Sequence, residues 1–265
     1  MKRWLQVGMG WVILLGACAP GPRPPPTLPP TPPPLPIPSL WEGVTSIGRL
    51  REDPGAYVGR EVWILAYFRG WDVLGEVGSP PPVTRSDVVF ADVRGAIYAD
   101  ARTLERVPGV EELHRQSAME GHLFRLRARV RQAADGSPYL ELLEGEEVQG
   151  LPVGVLLREY RSGGIMGAME ELLVLEGGKA IFISWNVRRR CVIEVESGEV
   201  AGLLKGLRAL PDVIGQPIPD GYTHEITFRD GASFRRVTIY TPSGSDEARP
   251  VLDILGRWGK PGGDC

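Results

Sequence analysis

Apolar and polar positions alternate most strictly between Leu123 and Gln132, where Phe124, Leu126, Ala128 and Val130 fall on one side and Arg125, Arg127, Arg129 and Arg131 on the other. A period of two predicts a half-buried strand. Val62 to Phe68, Val88 to Asp92, Ala96 to Ala99 and Tyr139 to Leu143 are rich in β-branched and aromatic residues and predict four more. Val93-Arg94-Gly95 turns the second of these into the third, and Asp135-Gly136 turns the fourth strand into the fifth. Ser46 caps a short helix with Ile47 and Leu50 on its inner face, ending at Pro54. A polar, partly helical stretch precedes the long alternating strand.

Beyond residue 150 the pattern changes. Val155 to Tyr160, Glu171 to Glu176, Lys179 to Trp185 and Cys191 to Val195 predict strands, the middle pair joined by the two-residue hairpin signal Gly177-Gly178. Val200, Leu203, Leu204 and Leu207 recur at helical spacing. Tyr222 to Arg229 and Ser233 to Tyr240 flank Asp230-Gly231 as a second hairpin. The stretch from Asp246 to Trp258 carries a helical apolar stripe of Val251, Leu252, Leu255 and Trp258. An antiparallel sheet against two helices follows, an α+β arrangement.

Five strands with a helical stretch before the fourth have the order of an OB-fold barrel. The words "SIGRLREDPGAYVGREVWI" and "FADVRGAIYA" resemble the opening and the middle hairpin of bacterial OB-fold domains. The fold class expected is therefore a two-domain β plus α/β chain. It has a five-stranded OB-like barrel over residues 41–148 and an α+β domain, antiparallel sheet with two helices, over residues 153–260. In that second segment "YRSGGIMG", the following hairpin, "SGEVAGLLKGL", "PDGYTHEITFRDG" and the last helix resemble the emfourin-like domain of bacterial inhibitors of thermolysin-type metalloproteases. The stretch Arg161-Ser162-Gly163-Gly164-Ile165-Met166-Gly167 is the most specific part of this likeness. Ile165-Met166 replaces an aromatic followed by alanine, and Asn186 to Arg190 is an unusual insert for a small free inhibitor.

The first 38 residues are of another kind. Lys2 and Arg3 precede an apolar run from Trp4 to Leu15, shorter than the roughly 17–25 residues of a membrane span. Leu15-Gly16-Ala17-Cys18 resembles the lipobox of bacterial lipoproteins, which implies cleavage before Cys18 and its acylation with diacylglycerol and palmitate-like chains. Residues 1–18 are thus expected to be a signal peptide. Residues 19–38 hold twelve prolines and are expected to form a stiff, extended stalk. The expected location is outside the cytoplasm, anchored by lipid to the membrane or envelope.

Composition is globular, 43% hydrophobic and 24% charged, and the formal charge of −3 gives no general pull toward polyanions. The arginine ladder 125–131 has three readings: the wet face of a strand, a track for an anionic polymer, or a protein-docking surface. Stacking aromatics do not alternate with it, so nucleic acid is not an expected partner. The glycine loop likewise has two readings. It either brings backbone and the apolar anchors Ile165 and Met166 to a protease cleft, or it makes a tight turn with Ile165 in the core. Cys191 and Cys265 either pair as a disulfide or stay apart, Cys191 then being a small buried hydrophobe.

Motifs for zinc hydrolysis, thiol redox, serine hydrolysis and nucleotide binding are missing from the sequence, and His114, His122 and His224 have no ligand-like spacing. The expectation is a non-enzymatic chain with no catalytic residues, cofactor, metal or small-molecule substrate. Its partners are the membrane through Cys18 and an extracellular metalloprotease. An envelope scaffold that holds an anionic polymer on the barrel is the alternative.

Overall fold

The computed structural model describes residues 40–115 and 121–259. The expected signal peptide and stalk, residues 1–38, lie outside these, as do Cys18 and Cys265. The described chain is mostly β, with a closed five-stranded mixed barrel followed by a seven-stranded sheet and few helices.

The barrel comprises β1 (Glu61–Gly70), β2 (Val88–Asp92), β3 (Gly95–Ala99), β4 (Leu123–Gln132) and β5 (Pro138–Glu147). Its strand order is β1-β2-β3-β5-β4, with β4 pairing back onto β1. Only β3 and β5 run parallel, as a barrel that places the fifth strand beside the third requires. Phe68, Phe90 and Phe124 fill its interior edge to face, with centroids 5.6 and 6.2 Å apart. Two short helices, α1 (Ile47–Glu52) and α2 (Pro54–Tyr57), precede the barrel. Ser46 and Asp53 cap them by accepting from the amides of Arg49 and Ala56. Asp92 fastens α1 to the barrel: one carboxylate oxygen accepts from the Ile47 amide, the other from Arg94 and Gly95 in the β2–β3 turn. A turn of 3-10 helix (Ala101–Arg106) and α3 (Val110–Arg115) lie between β3 and β4.

The sheet holds β6 (Val155–Gly163), β7 (Ala168–Leu175), β8 (Lys179–Ser184), β9 (Arg189–Glu194), β10 (Val213–Ile214), β11 (Tyr222–Asp230) and β12 (Ser233–Thr241). The order is β10-β12-β11-β6-β7-β8-β9, antiparallel except for the short β10–β12 pair. Helices α4 (Ser197–Ala209) and α5 (Ser245–Trp258) bury Val200, Leu203, Leu207, Val251 and Leu255 on one face, against Leu172, Phe182, Ile226 and Val237.

The other face packs on the barrel. Leu173, Ile181, Ile183, Trp185 and Phe234 form one cluster with Leu65, Tyr67, Leu123, Val148 and Leu151. Side chains alternate along β1, so Ile64, Ala66 and Phe68 enter the barrel core while Leu65 and Tyr67 point to the sheet. Burial on both sides explains why this strand reads as a nearly unbroken apolar run. Three elements escape the apolar pattern: α2, β10 and the end of β5 beyond Leu143. The last of these pairs Glu144 with Arg127 and Glu146 with Arg125 across the strands, and an acidic run conceals it in sequence.

Candidate functional site

The glycine-rich segment is the tip of the β6–β7 hairpin. Gly163 pairs with Ala168, and Gly164 to Gly167 close the turn, with the Gly167 amide donating to the Gly164 carbonyl at 2.9 Å. Gly163 and Gly164 have φ of 102° and 72°, a region closed to most L-residues. A Cβ at Gly163 would sit 2.4 Å from the Gly221 carbonyl oxygen, and one at Gly164 2.5 Å from the Tyr222 ring. Glycine is therefore dictated by backbone and by space. Ile165 and Met166, at the apex, are 85% and 86% exposed. The alternative that Ile165 enters the core does not hold, because the hairpin projects both side chains away from the sheet.

The tip is exposed yet held from three sides. The Gly164 amide donates to the Gly221 carbonyl at 2.9 Å. Asn186, in the β8–β9 turn, accepts from the Met169 amide at 2.7 Å and donates to the Gly167 carbonyl at 3.1 Å. Arg161 forms an ion pair with Glu170 across the hairpin and lies over the Tyr222 ring. Ser162 pairs with Met169 in the ladder. Val187, in the turn that carries Asn186, is also exposed, and Arg188 beside it has a positive φ. Two adjacent hairpin turns thus present Ile165, Met166 and Val187 to solvent at one end of the sheet.

The four ladder arginines share one face of β4, and each has an intramolecular partner. Arg125 stacks on Trp63 at 4.4 Å and donates to the Glu42 carbonyl. Arg127 meets Glu144 at 3.0 Å, Arg129 meets Glu61 at 2.8 Å, and Arg131 meets Glu141 at 2.7 Å. The Arg131 hydrogen bond holds the Glu141 carboxyl below the usual carboxylate range.

Cys191 is buried in β9 and is disulfide-bonded; its partner lies outside the described residues. The three histidines stay apart: His114 contacts Trp71 edge to face, His122 meets Glu147, and His224 meets Glu159 in a buried pair. Among the described residues no cluster of three His, Cys, Asp or Glu is placed to hold a metal, and no helix is long and apolar enough to cross a membrane.

Sequence reasoning missed a charged group between barrel and sheet. Arg69 of β1 and Arg158 of β6 share the carboxylate of Glu171 on β7, at 2.7 and 2.6 Å. Burial alone would raise the Glu171 carboxyl, but the two guanidiniums outweigh it and hold it below the ordinary range. Both guanidiniums lie 5.0 Å from the centroid of the Tyr67 ring, and Arg69 also lies over Trp185. One signal was available: Arg69 ends a long apolar strand where a cation needs a buried partner.

Comparison with models of known protein families finds no match, and comparison with curated proteins finds none.

Proposed function

We propose that this chain is a lipid-anchored, extracytoplasmic binding protein that uses the β6–β7 tip to block a thermolysin-type metalloprotease. The observation that carries the proposal is the full exposure of Ile165 and Met166 on a backbone fixed by Gly221, Asn186 and the ladder. A soluble protein gains nothing in stability from two large apolar side chains at a hairpin apex, whereas a partner's apolar pocket does. Holding the tip in one conformation lowers the ordering cost of docking. The strand order supports an OB-like barrel, and the two helices on the sheet support an emfourin-like second half. Lipidation at Cys18 and a proline stalk would carry this body clear of the membrane.

The alternative, an envelope scaffold holding an anionic polymer on Arg125, Arg127, Arg129 and Arg131, draws no support from a face already balanced by Glu61, Glu141 and Glu144. The test is titration of a thermolysin-type protease with unacylated protein from residue 39 onward. Tight inhibition, lost when Ile165 and Met166 are both changed to Asp, is the expected result. Folded protein that leaves several such proteases fully active at micromolar concentration would remove the proposal.

A further inference from the structure

The seven-stranded sheet ends on one side in an open strand. β9 pairs with β8 from Arg189 to Glu194 in unbroken register, and no strand among the described residues pairs with its far side. The opposite margin is partly closed, since β10 covers Thr238 and Ile239 of β12. An open edge presents a row of amides and carbonyls to any extended chain. Which of them face outward follows from the ladder. The Val195 amide donates to the Gly178 carbonyl at 2.9 Å, and in an antiparallel pair such bonds recur at every second residue. Arg189, Cys191 and Ile193 therefore turn their main-chain groups to β8, while Arg190, Val192 and Glu194 turn theirs outward.

The same three residues share one side-chain face. Val192 is 55% exposed there, an apolar residue between an arginine and a glutamate. That order is its own complement. In a two-fold antiparallel pair centred on Val192, Val192 meets its equivalent in a second copy and Arg190 meets Glu194 at both ends, each in a hydrogen-bonded position. Centring the pair on Arg190 or Glu194 would set like charges opposite one another. Centring it on Cys191 or Ile193 would set a charged side chain against Val192. Opposite charges across strands favour pairing and like charges oppose it. Within one copy Arg190 meets Glu76 at 3.1 Å and Glu194 meets Lys179 at 3.6 Å. These contacts stay in place on pairing: main-chain hydrogen bonds supply the attraction, and the signs of charge select the register.

We propose that β9 is a self-pairing edge, through which two copies of this chain join β9 to β9 in antiparallel register about Val192 and merge their sheets into one. The contact is short, so the dimer is weak, at or below the low end of specific interfaces. Antiparallel pairing sets the β8–β9 turn of one copy beside the far end of β9 in the other. The two β6–β7 tips then lie at opposite ends of the joined sheet and stay free, so the pairing does not depend on what the tip binds.

Light scattering on the full chain in mild detergent tests this, with the protein mass of the particle followed from about 1 to 200 μM, a range that detects micromolar affinity. The mass is expected to double toward the upper end, and exchange of the Arg190, Val192 and Glu194 amides to slow with it. Val192→Pro removes an amide that β8 does not use, so it should fold and remain monomeric. Arg190→Glu and Glu194→Arg should each weaken dimerisation about tenfold or more, because like charges then meet twice. Mixed together, these two variants should pair again, since opposite charges meet at both ends. A monomer at every concentration, a dimer that survives Val192→Pro, or charge variants that do not pair on mixing overturns the proposal. If Val192→Pro does not fold, the mixing experiment decides by itself.

Discussion

Arg69 and Glu171 meet 2.7 Å apart, with side chains 4% and 0% exposed, and thereby join the first barrel strand to the middle of the sheet. A charge at this depth is tolerable only because its partner is there, and Glu171 serves Arg158 as well. Changing Glu171 to Gln leaves two guanidiniums in the interface without their anion. The expected loss is about 3–5 kcal/mol in urea unfolding. Replacing Arg69, Arg158 and Glu171 together by Met should cost less than Glu171→Gln alone, since desolvation is relieved along with the attraction. The interface also buries Leu65 and Tyr67, so barrel and sheet should unfold in one transition, and Glu171→Gln is the change expected to split it.

The same carboxylate sets an acid limit. The folded Glu171 lies below its ordinary range, so its contribution is complete above the unfolded value and is lost as pH falls through the folded one. Glu76 and Asp92 have the opposite sign: burial raises both, and protonation relieves the fold of a costly charge. The stability difference between the native chain and Glu171→Gln should therefore shrink steadily as pH is lowered below the usual glutamate range. Urea unfolding at a series of acid pH values measures it. A constant difference would mean that the Glu171 charge does not matter.

How far the fold could be read in sequence depended on whether each residue's neighbours lie along the chain or across it. The period of two in β4 is a local consequence of one wet and one dry face, and it was legible. The pairing of Gly163 and Gly164 with Gly221 and Tyr222 was not, though the glycines themselves marked the turn. Asn186 looked like part of an odd insert; its clamp on residues 167 and 169 appears only once β7 lies beside β8. Arg69, Arg158 and Glu171 come from three strands separated by up to about a hundred residues, and no local spacing links them. Tyr67 looked like any strand aromatic, because the burial of its hydroxyl without a partner among the described residues is a property of the packed interface.

The glycines of the tip should differ in how they tolerate alanine. Gly164→Ala meets both a positive φ and the Tyr222 ring at 2.5 Å, so either the ring moves or the hairpin reopens. Gly167 has a positive φ of 59° but open space around it. Its alanine variant should lose only the left-handed backbone cost, about 1–2 kcal/mol. Gly164→Ala should lose clearly more, and amide exchange at Gly164 should quicken. Equal effects at the two positions would mean that the contact with Tyr222 does not constrain the turn.

If the tip docks as proposed, Asn186 links stability to binding. Its side chain satisfies the Met169 amide and the Gly167 carbonyl at the base of the tip, both at the surface where water can replace them. Asn186→Ala should therefore cost the fold only about 1–2 kcal/mol. Its effect on a docked partner should be larger than its own position explains, since Ile165 and Met166 would then have to be ordered at the moment of binding. Asn186→Asp keeps the acceptor for Met169 but sets a carboxylate against the Gly167 carbonyl, so it should bind no better than the alanine variant. Dissociation rates of the proposed complex with a thermolysin-type protease measure this directly. If Asn186→Ala releases the partner as slowly as the native chain does, the rigidity of the tip contributes nothing to recognition, and exposure of the two apolar side chains alone would have to account for it.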